Sequence, residues 1–498
     1  MGEFDTLITK GALTIRPSDD LSMDILLERG SADTDGTASR SIFRPSTMLN
    51  GTLGYVPPSD PHELDMPYEG YSELEWNQAV LKVEYEIPTG TITSITGARD
   101  MSQDLSTSID GSALNLFVFE TTFEQDQLSQ EIRYSGNPFG NKDISITIGA
   151  YYFEQDYWYK ERRSIFGGAV QQALSGGIEQ TTWALFSHAD YHVSDTIMAS
   201  FGVRYTKESK DALIASLTNC DFKWDNCTFD FDDDETWSNV SPRAGIQWRP
   251  NENINVYGSI GRGFRSGGFN LRNGSPQASA GPYDEEQVTS FEIGVKSDLL
   301  DGKVRLNGAI FNNEYDNLQR TVMDDQALQS ILNAASATIR GVEVELSVMP
   351  LEKLSVNLNY GYTDAFYDSF EGLDITGDNI PDPELSKDLD LPLIPENTLS
   401  LTAIYDLNLG ASGVVTFRGS YSFVDTRYIN NENSLELNDY ELYGLSATWV
   451  PDDNWRVSLY GKNLGNEYYA PFGSDIGLFS QQFIQPPRNY GVDISYAY

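Results

Sequence analysis

Along this chain nine short connections alternate strictly with nine long ones, and that alternation limits the folds open to it. The short ones are tight turns: Pro17-Ser18-Asp19-Asp20, Pro88-Thr89-Gly90, Ser194-Asp195-Thr196, Asn251-Glu252-Asn253, Asp301-Gly302-Lys303, Pro350-Leu351-Glu352-Lys353, Gly410-Ala411-Ser412-Gly413 and Pro451-Asp452-Asp453-Asn454. A looser one covers 135–143. Between them lie polar stretches of roughly 11 to 43 residues, at about 33–75, 102–122, 159–179, 209–237, 267–284, 320–334, 368–395, 428–438 and 469–486. Short turns on one side and long loops on the other is the plan of an outer-membrane β-barrel. A soluble sandwich has no physical reason to sort its loops by side.

The segments between these connections carry a period of two. Leu81, Val83, Tyr85 and Ile87 share one face, and Lys82, Glu84 and Glu86 share the other. Val342, Val344, Leu346 and Val348 alternate in the same way with Glu343, Glu345 and Ser347. Each strand therefore has one apolar and one polar surface. A tilted strand needs about 9–11 residues to cross the hydrocarbon layer. The segments here are about 10–15 residues long, enough to span it and project beyond. No apolar run reaches the ~20 residues of a membrane-spanning helix. The fold expected is all-β, a transmembrane antiparallel barrel that occupies residues 1–498 as one domain.

Charge and rare residues narrow the function. With 33 Lys plus Arg against 74 Asp plus Glu, the net charge of −41 opposes nucleic-acid binding. The acidic stretch Asp230, Asp232, Asp233, Asp234 and Glu235 is expected as a solvated loop; it lacks the glycine and spacing of an EF-hand. Cys220 and Cys227, in the 209–237 loop of an exported protein, are expected to form a disulfide. His188, Asp190 and His192 share a strand face, but His188 and His192 stand about 13 Å apart and cannot share a metal. No metal site, cofactor or catalytic nucleophile is expected, and the chain is not expected to be an enzyme. At the end, Tyr490, Val492, Ile494, Tyr496 and Tyr498 put apolar side chains on one face and finish on an aromatic. That ending resembles the signal taken up by the bacterial outer-membrane assembly machinery. Met1-Gly2-Glu3-Phe4-Asp5 has neither the basic start nor the apolar core of an export signal, so a truncated frame or processed product is expected.

Several stretches together resemble the barrel segments of the TonB-dependent receptors. They are Ser241-Pro242-Arg243-Ala244-Gly245, Gly261-Arg262-Gly263-Phe264-Arg265-Ser266-Gly267-Gly268-Phe269-Asn270, Arg340-Gly341-Val342-Glu343-Val344-Glu345, Gly461-Lys462-Asn463-Leu464-Gly465-Asn466 and Pro487-Arg488-Asn489-Tyr490-Gly491. Their order and spacing carry the resemblance over most of residues 76–498. Counting gives about 19 strands, whereas outer-membrane transporters have 22 around a plugged lumen. The resemblance therefore implies that three strands, the N-terminal plug and the box that contacts the TonB complex are missing. It implies the outer membrane of a Gram-negative bacterium, a setting of outer-membrane lipid and lipopolysaccharide, and uptake of a scarce nutrient, most often a ferric siderophore or similar chelate. Arg262, Arg265 and Arg418 are candidates to contact that ligand. The competing expectation is a passive porin-like channel without a plug.

Overall fold

Inside a bilayer every backbone amide and carbonyl must find its partner within the protein, so alternating segments persist only in a continuous ladder. The computed structural model, which describes residues 4–36, 38–272, 280–323, 329–371, 382–452 and 454–497, shows such a ladder. Nineteen antiparallel strands form one sheet. They are Phe4–Ser18, Leu21–Asp35, Tyr71–Ile87, Gly90–Ser108, Phe117–Gly136, Ile144–Ile165, Val170–Ser194, Ile197–Ala215, Phe231–Asn251, Ile254–Arg265, Glu286–Leu299, Val304–Met323, Gln329–Leu351, Leu354–Phe370, Asn397–Asn408, Val414–Val424, Tyr440–Val450, Trp455–Lys462 and Asn489–Tyr496. Each pairs with the next in chain order. These are the 19 segments expected from the alternation.

Several expected loops are strand instead. The 159–179 stretch is the end of a hairpin whose ladder continues to Ile165↔Val170. Parts of 102–122 and 209–237 extend their strands likewise, so Asp232 to Glu235 lie in a strand and not in a loop. Beyond the hydrocarbon layer the outer face no longer meets lipid, so the apolar repeat stops while backbone pairing goes on.

Register fixes which side chains meet lipid. Trp183, Leu185, Phe201, Val203 and Tyr205 share one face, where Leu185 keeps 64% and Phe201 62% of its surface exposed. The other face carries His188, Asp190, Arg204, Thr206 and Glu208. Against its far end folds the segment after Arg265, which buries Ile178, Ala212, Ile214, Trp237, Phe269 and Ala280 together. The polar face is therefore the inside. Each interior or exterior assignment then follows by counting in twos.

Among the described residues no backbone pairing joins the first strand to the last: Phe4–Ser18 pairs with Leu21–Asp35, and Asn489–Tyr496 with Trp455–Lys462. At the outer end, loops from the two sides of this seam meet in a three-stranded sheet, Ser39–Ser41 with Ser480–Phe483 and Phe472–Asp475. Arg44 adds an ion pair to Asp475.

The outer face also carries a row of acids in register. Asp100 lies opposite Asp126, Asp126 opposite Asp156, Asp156 opposite Glu179, Glu179 opposite Asp211, and Asp211 opposite Asp234. All six are exposed. The row runs just beyond the level of Ala98 and Leu128. Like charges directly opposite destabilise a sheet. Asp126→Asn is accordingly expected to raise stability by about 0.2–1 kcal/mol in low salt. Denaturant unfolding should show the gain shrinking as salt screens the row.

Candidate functional site

On the inner face, near the outer end, three elements enclose a cavity of about 340 Å³. Its aromatic wall comes from Phe123, Tyr157 and Tyr159, whose strands place Phe123 directly opposite Tyr159. Phe269, Arg272 and Tyr283 come from the segment after Arg265, and Thr321, Ser330 and Ile331 from the next hairpin. Amide side chains sew that segment to the wall. Asn270 accepts from the Ile331 amide at 2.9 Å. Gln319 donates to the carbonyls of Ser266 and Asp284 at 2.9 Å each. Lys210 donates to Ser266 Oγ at 2.9 Å and to the Gly267 carbonyl at 2.7 Å.

Beside the cavity, toward the outer end of the strand that carries Tyr159, lies a charge cluster. Glu161, fully removed from solvent, pairs with Arg163 and, at 2.8 Å, with Arg272 Nε. The Tyr159 hydroxyl donates to the same carboxylate. Two guanidiniums thus meet on this one carboxylate. Burial alone would lower the Arg272 pKa, yet the Glu161 carboxylate overrides it and holds the guanidinium above its ordinary value. The arrangement is an aromatic recess lined on one side by a guanidinium, suited to an anion that carries flat or apolar groups.

The disulfide loop supports this wall from behind. Cys220 and Cys227 are bonded, and Trp224 between them donates from Nε1 to the Glu161 carbonyl at 3.3 Å. Arg162 stacks on the Trp224 ring at 4.3 Å.

The sequence-predicted residues do not gather in one place. Arg265 faces inward and pairs with Glu286 at 2.9 Å; burial raises the pKa of the Tyr283 phenol, and the Arg265 charge opposes that rise. Arg418 also faces inward, but stands between Ile404 and Ser446 on another wall. Arg262 departs from expectation: it shares the outer face with exposed Ile260 and bonds to Gln287. His188 binds Asp190 at 3.1 Å, also on the inner face. Tyr490, Val492, Ile494 and Tyr496 are exposed on the outer face of the last strand; Tyr498 lies outside the described residues. Among the described residues no group of His, Cys, Asp or Glu is arranged to hold a metal ion. The sequence did carry a signal for the cavity. Tyr159, Glu161 and Arg163 continue the period of two from Tyr157 into the 159–179 stretch expected as a loop.

A wide antiparallel sheet with a lipid-compatible exterior, short turns at one end and a walled recess at the other defines an outer-membrane barrel of the receptor type. The chain belongs to the TonB-dependent receptors: the family description "TonB dependent receptor-like, beta-barrel" matches residues 13–464. Among relatives, the probable TonB-dependent siderophore receptor PiuA of Acinetobacter baumannii is 25% identical over 238 residues, 46% of this chain and 30% of that protein. The metal-pseudopaline receptor CntO of Pseudomonas aeruginosa is 22% identical over 299 residues, 60% of this chain and 38% of its own length. The matches thus span well under half of these relatives. Among solved structures, the ferric yersiniabactin uptake receptor FyuA of Yersinia pestis superposes with a TM-score of 0.81 at 16% identity, covering 99% of this chain and 71% of that one. This likeness establishes the fold, and the family places the barrel in the outer membrane of a Gram-negative bacterium.

Two outcomes test the site's construction. Glu161→Ala leaves Arg163 buried without its partner, a loss of about 3–5 kcal/mol. Hydrogen exchange should report it first as faster exchange across 266–272 and the 144–165/170–194 hairpin. In the loop at 425–439, burial and then the nearby Asp475 charge raise the Glu432 pKa. A raised carboxyl pKa means that the folded loop binds the proton more tightly. Docking is therefore strongest below the unfolded value and weakens as pH rises through the folded one. Glu432→Gln is expected to protect this loop from protease at neutral pH and to change nothing in acid.

Proposed function

We propose that this barrel forms the outer-membrane wall of a receptor that takes up a ferric siderophore or a similar anionic metal chelate, driven by TonB. The observation that carries the proposal is the recess itself, lined by five aromatic rings and the Arg272 guanidinium, with Arg163 close by. It stands in a barrel whose overall charge of −41 would otherwise repel an anion. The names of the relatives, receptors for siderophores and for metal-pseudopaline, point the same way. A passive channel fits less well. Segments from different strands fold inward at the outer end, as where Asn431 donates to the Thr321 carbonyl at 2.7 Å.

In this reading residues 1–498 belong to the barrel domain, and the open seam takes the strands that complete it. A plug and its contact with the TonB complex lie in sequence outside these strands. Assembly into lipid and lipopolysaccharide proceeds through the β-barrel machinery, with the outward aromatic face of Asn489–Tyr496 as its signal. The chain acts as a carrier wall, not as an enzyme.

Equilibrium binding of ferric chelates to the intact protein tests the proposal. Arg272→Ala is expected to weaken an anionic ferric chelate by about tenfold or more, the scale of a lost charge-assisted hydrogen bond, and to leave a neutral chelate nearly unchanged. Equal loss for both, or no loss for either, contradicts it.

A further inference from the structure

Outside the recess, the outer surface holds a second built feature. A groove of about 580 Å³ crosses the strands Val170–Ser194, Ile197–Ala215, Phe231–Asn251 and Ile254–Arg265 on their lipid-facing side. Ala189, Pro242 and Ala244 make a low floor, and Phe201, Val203 and Ile260 stand beside it. Side-chain size alone creates the depression, because small residues on adjacent strands lie next to large ones on the same face. At one end stands Arg262, near the outer end of its strand and opposite Thr289. Below Thr289 on the neighbouring strand, Phe291, Ile293 and Val295 continue the exposed apolar belt. With Phe264 two positions further out on the same face, Arg262 sits in the outer part of that belt.

A cation at this depth has to find an anion or reach water, since its cost rises steeply toward the middle of the bilayer. Another outward arginine meets that need within the protein: Arg340 is held by Asp364 through bonds of 3.0 and 2.7 Å. Arg262 is not treated so. Its partner is the neutral Gln287, whose amide passes on to Glu285 at 2.6 Å, and among the described residues it forms no ion pair. In a chain with more than twice as many acidic as basic groups, an outward arginine bonded to a neutral amide is suited to take an external anion. The groove beneath it is shaped for a hydrocarbon chain.

We propose that this groove and Arg262 form a specific site for a phosphorylated lipid of the outer leaflet. The acyl chain lies in the groove over Ala244, and the headgroup phosphate takes the Arg262 fork, whose planar donors match a phosphate in paired fashion. The site is separate from the recess on the inner face and does not depend on chelate uptake.

Native mass spectrometry of the intact protein in detergent tests this, with phosphatidylglycerol, diacylglycerol of the same chains and inorganic phosphate as probes. Wild type is expected to hold phosphatidylglycerol about tenfold more tightly than diacylglycerol, the scale of one charge-assisted bond. Arg262→Gln should abolish that preference, while Arg340→Gln keeps it. Ala244→Trp, which fills the groove and leaves the arginine, should weaken both lipids. The proposal is overturned if Arg262→Gln retains the preference, if Ala244→Trp binds as wild type does, or if inorganic phosphate binds as tightly as the lipid.

Discussion

Every feature of this protein depends on one constraint: in lipid, the backbone has no water to bond to, and the ladder must supply every partner. An uninterrupted ladder fixes register, and register fixes which side chain points where. A slip of one residue would turn Phe201 and Leu185 into the lumen and send Arg204 and His188 into lipid. The recess, the lipid-facing groove and the row of acids are all consequences of one register. Phe123 meets Tyr159 across the strands for the same reason that Asp126 meets Asp156.

Charge is distributed by depth and by face. The apolar belt carries very little of it, the exterior beyond the belt carries the unfavourable acidic row, and the interior carries paired groups such as Arg265 with Glu286. The buried exception is Glu161, whose desolvation is offset by two guanidiniums and a phenol together. A cluster of this kind contributes little net stability compared with apolar packing. Its consequence is geometric: it ties the segment after Arg265 to the 144–165/170–194 hairpin and presents Arg272 to the recess.

Much of this was legible in the sequence. Period-two alternation located all nineteen strands, because lipid on one side and a polar lumen on the other impose it on each crossing. Strand ends were not legible. Past the belt, residues such as Tyr157 to Arg163 answer to loop packing and not to lipid, so their alternation no longer separates apolar from polar. The recess was missed because Tyr159 and the segment after Arg265, which complete its wall, fall in stretches expected as loops. The three arginines singled out as ligand contacts show the limit of motif reasoning. Arg262 and Arg265 stand three positions apart on one strand and so face opposite sides, which no family resemblance could show without the register.

Among the described residues no pairing joins Phe4–Ser18 to Asn489–Tyr496, while the loop sheet at 39–41, 472–475 and 480–483 holds the two sides together at the outer end. The recess lies away from this seam, built within strands whose ladder is continuous on both sides. The claim that it receives a ferric chelate is tested most directly by anomalous diffraction at the iron edge from crystals of the intact protein grown with an anionic ferric chelate. An iron peak is expected within the recess, over Tyr159, Tyr283 and Arg272. An iron peak elsewhere in the lumen, with the recess empty at saturating chelate, would contradict it.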